Sequence, residues 1–189
     1  MRNWIWIFVL GCGLLGGGCL PHADVPRDRL APTFKGQAPR DQEHYSLLDL
    51  LRKGPVLAVF IPRSLENAGE RLAYFELVAK ARPKGVTVIG LIPGTEKDAA
   101  DWVAANKPGF AVIPDVDGHY AEQYQVTAGP VAFLIARSSE KIGPYSVLNQ
   151  AELEKIQAEL ARLTGSAGSA IDLSNAAKGS GPVVEFAAP

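Results

Sequence analysis

Residues 54–69 of this 189-residue chain read GPVLAVFIPRSLENAG, and this stretch decides the fold. Residues 56–61 form a continuous apolar run without polar alternation, which is typical of a β-strand that is buried on both faces. A helix is expected next, because Asn67 and Glu70 have the spacing of a capping box and Pro83 ends the pattern. The apolar positions at helical spacing are Ala68, Leu72, Phe75 and Ala79.

The rest of the chain continues the alternation of strand and helix. Thr95 is placed to cap a second helix, and Asn149 with Glu152 is placed to cap a last helix that ends at Gly165. Further strands are predicted at residues 86–92, 110–113, 131–136 and 143–147, with a brief helix before Tyr124. Residues 131–136 must lie beside residues 56–61 for the sheet to close. The order predicts one α/β sandwich around a mixed sheet.

The charge balance excludes several classes of partner. Lys and Arg total 19 and Asp and Glu total 20, so there is no net field to attract nucleic acid or an anionic membrane surface. The chain contains two cysteines, Cys12 and Cys19. The part that follows them holds no disulfide, and its stability must come from packing.

The first nineteen residues have the features of an export signal. Arg2 precedes an apolar stretch, residues 4–15, and a run of glycines then leads to Cys19. The stretch is shorter than the roughly 20 apolar residues of a transmembrane helix. It resembles a bacterial lipoprotein signal, which implies that Cys19 carries the lipid. The alternatives are lipid on Cys12 and an ordinary cleaved secretory peptide.

These features divide the chain into four parts. Residues 1–18 are the signal peptide, residues 19–29 an extended tether, residues 30–164 the folded domain and residues 165–189 a Gly/Ala/Ser-rich tail. Lipid on Cys19 would hold the domain at a bacterial membrane, facing the periplasm or the cell exterior.

Six segments of the domain resemble segments of the redoxin group and occur in the same order along the chain. This group comprises the peroxiredoxins and the membrane-tethered thioredoxin-like oxidoreductases. The six segments are 31–34 (APTF), 46–50 (SLLDL), 54–60 (GPVLAVF), 114–118 (PDVDG), 124–126 (YQV) and 129–135 (GPVAFLI). The resemblance implies a thioredoxin-like three-layer sandwich with a central mixed β-sheet and the redoxin-type inserted helix and strand. It also implies that Pro130 is the family's cis-proline, whose loop presents backbone to extended partner peptides.

The same alignment shows that the family's catalytic thiols are missing. In the thioredoxin-type arrangement the two cysteines fall on Leu65 and Ala68. In the peroxiredoxin arrangement the threonine and the peroxidatic cysteine fall on Glu66 and Gly69. The thiolate is the nucleophile in this chemistry, so neither activity carries over, and no cofactor is expected.

The loop that replaces the thiol motif has two interpretations. It comprises Arg63, Ser64, Leu65, Glu66, Asn67 and Ala68. In the first, free N–H groups at the helix start hold an anion and Arg63 clamps a carboxylate. In the second, Ser64 or Asn67 caps the helix, Glu66 favours its positive end and Arg63 is solvated.

No metal site is predicted. The three histidines, His22, His44 and His119, have no ligand spacing. Asp115 and Asp117 match the start of a calcium loop, but the later acidic ligand is absent and a turn is expected.

The tail ends in a short apolar cluster, residues 182–186, that follows a linker too poor in apolar residues to fold alone. Val183, Val184 and Phe186 are candidate residues for docking on a partner, by adding a strand or by filling a groove. A frayed terminus without a role is the alternative.

Three functions follow from these features. The first is a redox-inactive lipoprotein without enzymatic activity, a binding or structural subunit within a larger membrane complex. The second is a redoxin-related enzyme with a non-cysteine site around Arg63, Glu66 and Asn67. The third is a carrier for a small ligand beside Pro130.

Overall fold

The computed structural model describes residues 25–81, 83–145, 149–165 and 184–186. Its α-helices are α1 Leu47–Lys53, α2 Ala68–Arg71, α3 Ala73–Ala81, α4 Glu96–Asn106, α5 His119–Gln123 and α6 Gln150–Thr164. Its strands are β1 Lys35–Gln37, β2 His44–Ser46, β3 Val56–Phe60, β4 Thr87–Pro93, β5 Ala111–Asp115, β6 Ala128–Gly129, β7 Val131–Ile135, β8 Lys141–Tyr145 and β9 Val184–Glu185.

Strand β3 is the centre of a five-stranded mixed sheet with the order β5-β4-β3-β7-β8. It pairs in parallel with β4, where Phe60 lies opposite Leu91, and antiparallel with β7, where Phe60 lies opposite Val131. All of its residues are buried. The predicted pairing of residues 56–61 with residues 131–136 is therefore confirmed.

Successive side chains of β3 point to opposite faces of the sheet and build two cores. Leu57 and Val59 belong to the first core, which is formed with helices α2, α3, α4 and α6. Val56 and Phe60 belong to the second core, which is formed with helices α1 and α5. Helices thus cover both faces of the sheet, and the predicted three-layer sandwich is confirmed.

The helix predicted from Ala68 onward is in fact two helices, α2 and α3, which are separated at Leu72. Asn67 has a left-handed φ of 52° and makes no side-chain cap hydrogen bond. An N-cap side chain reaches the helical N–H groups from extended backbone, and the left-handed turn at Asn67 points it elsewhere. The predicted capping box with Glu70 was therefore wrong.

The other helix ends follow the sequence. The Thr95 hydroxyl accepts from the Asp98 N–H at 3.2 Å, and the Asp98 carboxylate accepts from the Thr95 N–H at 2.8 Å, so a full capping box opens α4. The Asn149 side chain accepts from the Glu152 N–H at 3.1 Å at the start of α6. Gly165 ends that helix with a left-handed φ of 60°.

The hairpin of β1 and β2 covers the end of the second core in a stretch where the sequence predicts no element. Both strands are three residues long and half-exposed, so they lack the apolar alternation that reveals longer strands. Further upstream, the 3₁₀ turn Arg27–Arg29 lies within the predicted tether and contacts the domain. Arg29 pairs with Glu140, and the Ala31 N–H donates to the Ser139 carbonyl at 2.9 Å.

Asp115, at the end of β5, is a buried carboxyl that holds the start of α5. Its side chain accepts from the N–H groups of Tyr120 at 2.7 Å and Ala121 at 2.8 Å, and the residue is 1% exposed. Burial raises the pKa of the Asp115 carboxyl, while these two hydrogen bonds oppose the rise. The first acidic residue of the calcium-like pattern is thus a structural acceptor.

We predict that Asp115→Ala lowers the free energy of unfolding by about 2–3 kcal/mol, because two N–H groups at a buried site lose their acceptor. The neighbouring exposed Glu122 in α5 supplies the control, and Glu122→Ala should change that free energy by no more than about 0.5 kcal/mol. Urea denaturation of both variants measures the difference. Equal effects would show that the carboxyl does not support α5.

Gly54 and Gly85 bring the starts of β3 and β4 together. A Cβ atom on Gly54 would lie 2.3 Å from the Gly85 carbonyl oxygen, a distance at which the backbone would have to move. Gly69, in α2, provides the contrast, because a Cβ atom there would have no neighbour within 4 Å.

Gly54→Ala is accordingly expected to lower the free energy of unfolding by about 2–3 kcal/mol through backbone displacement. Gly69→Ala should raise it, by up to about 1 kcal/mol, since alanine is the better helix former and the space is open. Thermal and urea unfolding of the two variants should move in opposite directions. A stable Gly54→Ala protein would contradict the close contact with Gly85.

Candidate functional site

The candidate site lies where two loops meet at one end of the sheet. One loop follows β3 and carries residues 62–67, and the other precedes β7 and carries Gly129 and Pro130. The loops meet because β3 and β7 are antiparallel neighbours, so the end of one strand lies beside the start of the other. A Cβ atom on Gly129 would lie 2.9 Å from the Cδ atom of Pro62, which shows how closely the loops approach.

The two positions of the thioredoxin-type thiols belong to the first core. Leu65 is 5% exposed and Ala68 is 3% exposed, and both pack in that core. The Leu65 N–H donates to the Pro62 carbonyl at 3.0 Å and closes a turn. These residues therefore act as apolar packing groups, and neither presents a nucleophile to solvent. The peroxiredoxin-type positions, Glu66 and Gly69, are exposed.

Arg63 is paired within the chain. Its guanidinium lies 3.0 Å from the Asp98 carboxylate, with the Arg63 side chain 55% exposed. Hydrogen bonds from Thr95 lower the pKa of the Asp98 carboxyl, and the charge of Arg63 lowers it further. The loop is thereby tied to the start of α4. The sequence does not predict this pair, because Arg63 and Asp98 lie far apart along the chain.

The remaining polar residues of the loop face solvent. Ser64, Glu66 and Asn67 are exposed, and no hydrogen bond joins their side chains to the described residues of the site. The loop thus lacks the buried, paired groups that activate a catalytic side chain.

Pro130 is buried, and the Gly129–Pro130 peptide bond is cis, as the resemblance implies. A second cis bond, Gly143–Pro144, lies in β8, where a Cβ atom on Gly143 would lie 3.1 Å from the Ala132 carbonyl oxygen. The position of Pro130 follows from chain order, because the residue directly precedes the strand that pairs with β3.

The C-terminal strand β9 pairs with β6, in the loop that carries Pro130. Val184 lies opposite Gly129 and Glu185 lies opposite Ala128, in antiparallel register. The Phe186 N–H donates to the Thr127 carbonyl at 3.0 Å. Two of the candidate docking residues, Val184 and Phe186, are therefore placed against the chain's own domain. The third, Val183, lies outside the described residues, as do Cys12 and Cys19.

The histidines do not form a metal site in the part of the chain that the structure describes. His44 is exposed in β2, and the His119 ring lies 3.0 Å from the Gln123 side chain. No group of three or more His, Cys, Asp or Glu residues is close enough to hold an ion within the described ranges. His22 lies outside them.

Two surface cavities are lined by residues outside the two loops. One, of about 500 Å³, is at the opposite end of the sheet, beside the first residues of β4 and β5. Burial raises the pKa of the Tyr45 phenol there to about 12, and its hydrogen bond to Asp41 contributes to the rise. The other, of about 580 Å³, lies beside the end of β5 and includes His119. Neither cavity contains a residue of the thiol-replacement loop.

Solved structures share this architecture. A Chlorobium tepidum protein named as a candidate thiol:disulfide interchange protein DsbE has 21% identity and a TM-score of 0.62, covering 72% of this chain and 96% of its own. Peroxidoxin BcpB from Mycobacterium tuberculosis has 19% identity and a TM-score of 0.57, covering 71% of this chain and 95% of its own.

A third structure is the thioredoxin domain of a thiol-disulfide oxidoreductase from Bacteroides vulgatus. It has 18% identity and a TM-score of 0.57, and the match covers 69% of this chain and 94% of that domain. At these identities the similarity shows the fold, which is thioredoxin-like. No curated protein matches the chain.

A family model gives the assignment. It is described as the AhpC/TSA family and matches residues 28–141, from the 3₁₀ turn before the domain to the first residue of β8. The match includes both loops of the candidate site and more than half of the sequence. The chain belongs to the AhpC/TSA family.

Proposed function

We propose that this protein is a redox-inactive, thioredoxin-like lipoprotein that binds a protein partner at the outer face of a bacterial membrane. One observation carries the proposal: apolar residues of the first core occupy the positions where the related oxidoreductases carry their thiols. Leu65 and Ala68 are both buried there, and the chain's cysteines lie at positions 12 and 19.

The packing of these two residues favours a loss of redox chemistry over a relocated thiol. A redoxin needs a thiolate that is partly exposed and held in an electropositive environment. In this chain the cation of the loop itself, Arg63, is paired with Asp98, and Leu65 closes a turn above the core. The loop thus connects β3 to α2 and keeps the fold intact, but it carries no nucleophile.

The membrane location rests on the N-terminal sequence. A short apolar stretch followed by glycines and Cys19 supports export and lipid attachment. Within the described ranges, no helix is both long and apolar enough to serve as a membrane span. Lipid on Cys19, with residues 20–24 before the first described residue, would therefore hold the domain close to the bilayer surface.

An enzyme with a non-cysteine site at this loop is less well supported. Arg63 already has a carboxylate partner, and Glu66 and Asn67 are exposed. A small-ligand site beside Pro130 meets a different difficulty, because β9 covers the adjoining edge at β6. A protein-binding function needs neither a desolvated acid nor an enclosed cavity, and it fits the surface better.

We predict that the purified chain lacking residues 1–19 neither reduces insulin disulfides nor consumes peroxide in the presence of a thiol reductant. The reason is the absence of a thiolate from both family arrangements. An active thioredoxin-type oxidoreductase in the same assays is the positive control. Turnover comparable with that control would overturn the redox-inactive assignment.

A separate prediction concerns the anchor. Cys19→Ser should move the protein from the membrane fraction to the soluble exported fraction, or stall its processing, because no acceptor for the lipid remains. Cys12→Ser is the matched control and should leave the mature protein lipidated. Fractionation and intact-mass spectrometry measure both variants. Lipid on Cys12, or an unmodified N-terminus after Gly18, would contradict the assignment.

A further inference from the structure

The short sheet of β6 and β9 joins two distant parts of the chain at the candidate site. Strand β6 lies directly before Pro130. Strand β9 lies near the C-terminus, well beyond Gly165, where α6 ends. The ladder itself is two residues long, extended by the bond from the Phe186 N–H to the Thr127 carbonyl. The edge formed by residues 127–129 thus accepts an extended segment through its backbone.

Val184 and Phe186 are two residues apart and lie on the same side of the accepted segment, where each packs against a different core. Val184 packs against the first core and Phe186 packs against the second core. Glu185, between them, is exposed. This is the pattern of a strand that is added to an open edge: main-chain bonds give the attachment, and alternate side chains on one face of the strand are held by the domain.

Gly129 shapes the edge for this occupant. A Cβ atom on Gly129 would lie 2.8 Å from the Cε2 atom of Phe186, and 3.1 Å from the carbonyl oxygen of Phe60. Because Gly129 has no side chain, the Phe186 ring can occupy the space beside it. An edge built this way selects an aromatic or other large apolar group at the position of Phe186.

The pairing is too short to be strong without the covalent connection. A two-residue ladder contributes few hydrogen bonds, each worth about 0.5–1.5 kcal/mol. A segment joined to its site by the chain acts at an effective concentration on the order of millimolar, which stabilises a weak contact. A free segment with the same chemistry can then compete whenever its local concentration is comparable.

The resemblance already implies that the loop carrying Pro130 presents its backbone to extended partner peptides. We propose that the chain's own residues 184–186 close this edge, at residues 127–129, until a partner segment displaces them. This inference rests on the proposed binding function, whose partner it describes. The partner segment carries two apolar side chains separated by one polar residue, the second of them aromatic. It has no proline at the paired positions, because proline cannot donate to the ladder.

The test measures binding of a fluorescein-labelled peptide, PVVEF, to the full chain in detergent. The double variant Val184→Ser/Phe186→Ala removes both side chains that hold β9 and should leave the edge open. Fluorescence anisotropy should show the peptide bound about tenfold or more tightly by the variant than by the unmodified chain, since the internal competitor is lost. Adding Gly129→Val to the variant should abolish binding, because the side chain fills the space of the aromatic ring.

Leu48→Ser is the control, since Leu48 is an apolar residue in α1 that is 54% exposed and lies outside the edge of residues 127–129. It should bind the peptide as weakly as the unmodified chain. Equal affinity in the unmodified chain and the double variant would overturn the proposal, and so would absence of binding to a folded double variant. A dimer of the unmodified chain that the double variant abolishes would also overturn it, because the occupant would then be a second copy.

A second measurement applies if the double variant does not fold. In the unmodified chain, excess PVVEF peptide should increase the hydrogen-exchange rate of the Phe186 amide, because displacement frees its N–H from Thr127. An unchanged rate would contradict displacement. Redox turnover would overturn the proposed function without altering these peptide measurements, and failure of the peptide to bind would leave the redox assignment intact.

Discussion

The burial of β3 on both faces and along both edges is the constraint on which the rest of this structure depends. A strand of five buried residues needs paired neighbours for its backbone and helix layers for its side chains. Strands β4 and β7 supply the first, and helices on either face of the sheet supply the second. Because β7 runs antiparallel to β3, the loop after β3 and the loop before β7 must meet. The candidate site follows from that meeting.

The sequence predicts those parts of the fold whose information is local. The apolar run at residues 56–61, the Thr95 cap and the Gly165 helix end each depend on a few adjacent residues. The break at Leu72 and the left-handed turn at Asn67 are backbone conformations that a capping pattern does not reveal. The three-residue strands β1 and β2 are too short and too exposed to show a period.

The candidate site likewise has features that the sequence predicts and contacts that it does not. Missing thiols are visible in the sequence as residue types, whereas the contacts that replace them are not. Arg63 and Asp98 are separated by α2, α3 and β4 and come together only in the folded chain. The pairing of Val184 with Gly129 spans more than fifty residues, and an apolar terminal cluster contains no information on which edge it will meet. Strand-like character was predictable there, but the register was not.

The contact between Gly54 and Gly85 has a consequence for transplanting segments between relatives. The segment between the two glycines contains β3, the thiol-replacement loop, α2 and α3. The contact between the glycines therefore joins the two ends of this segment. A thiol-bearing insert from an active relative would leave this contact intact if its crossover points lay between residues 55 and 84, with both glycines retained by the host. An insert with one crossover inside that interval and the other outside it would replace one member of the contact without the other. The boundaries of a functional chimera are thus set by a pair of residues that take no part in the chemistry.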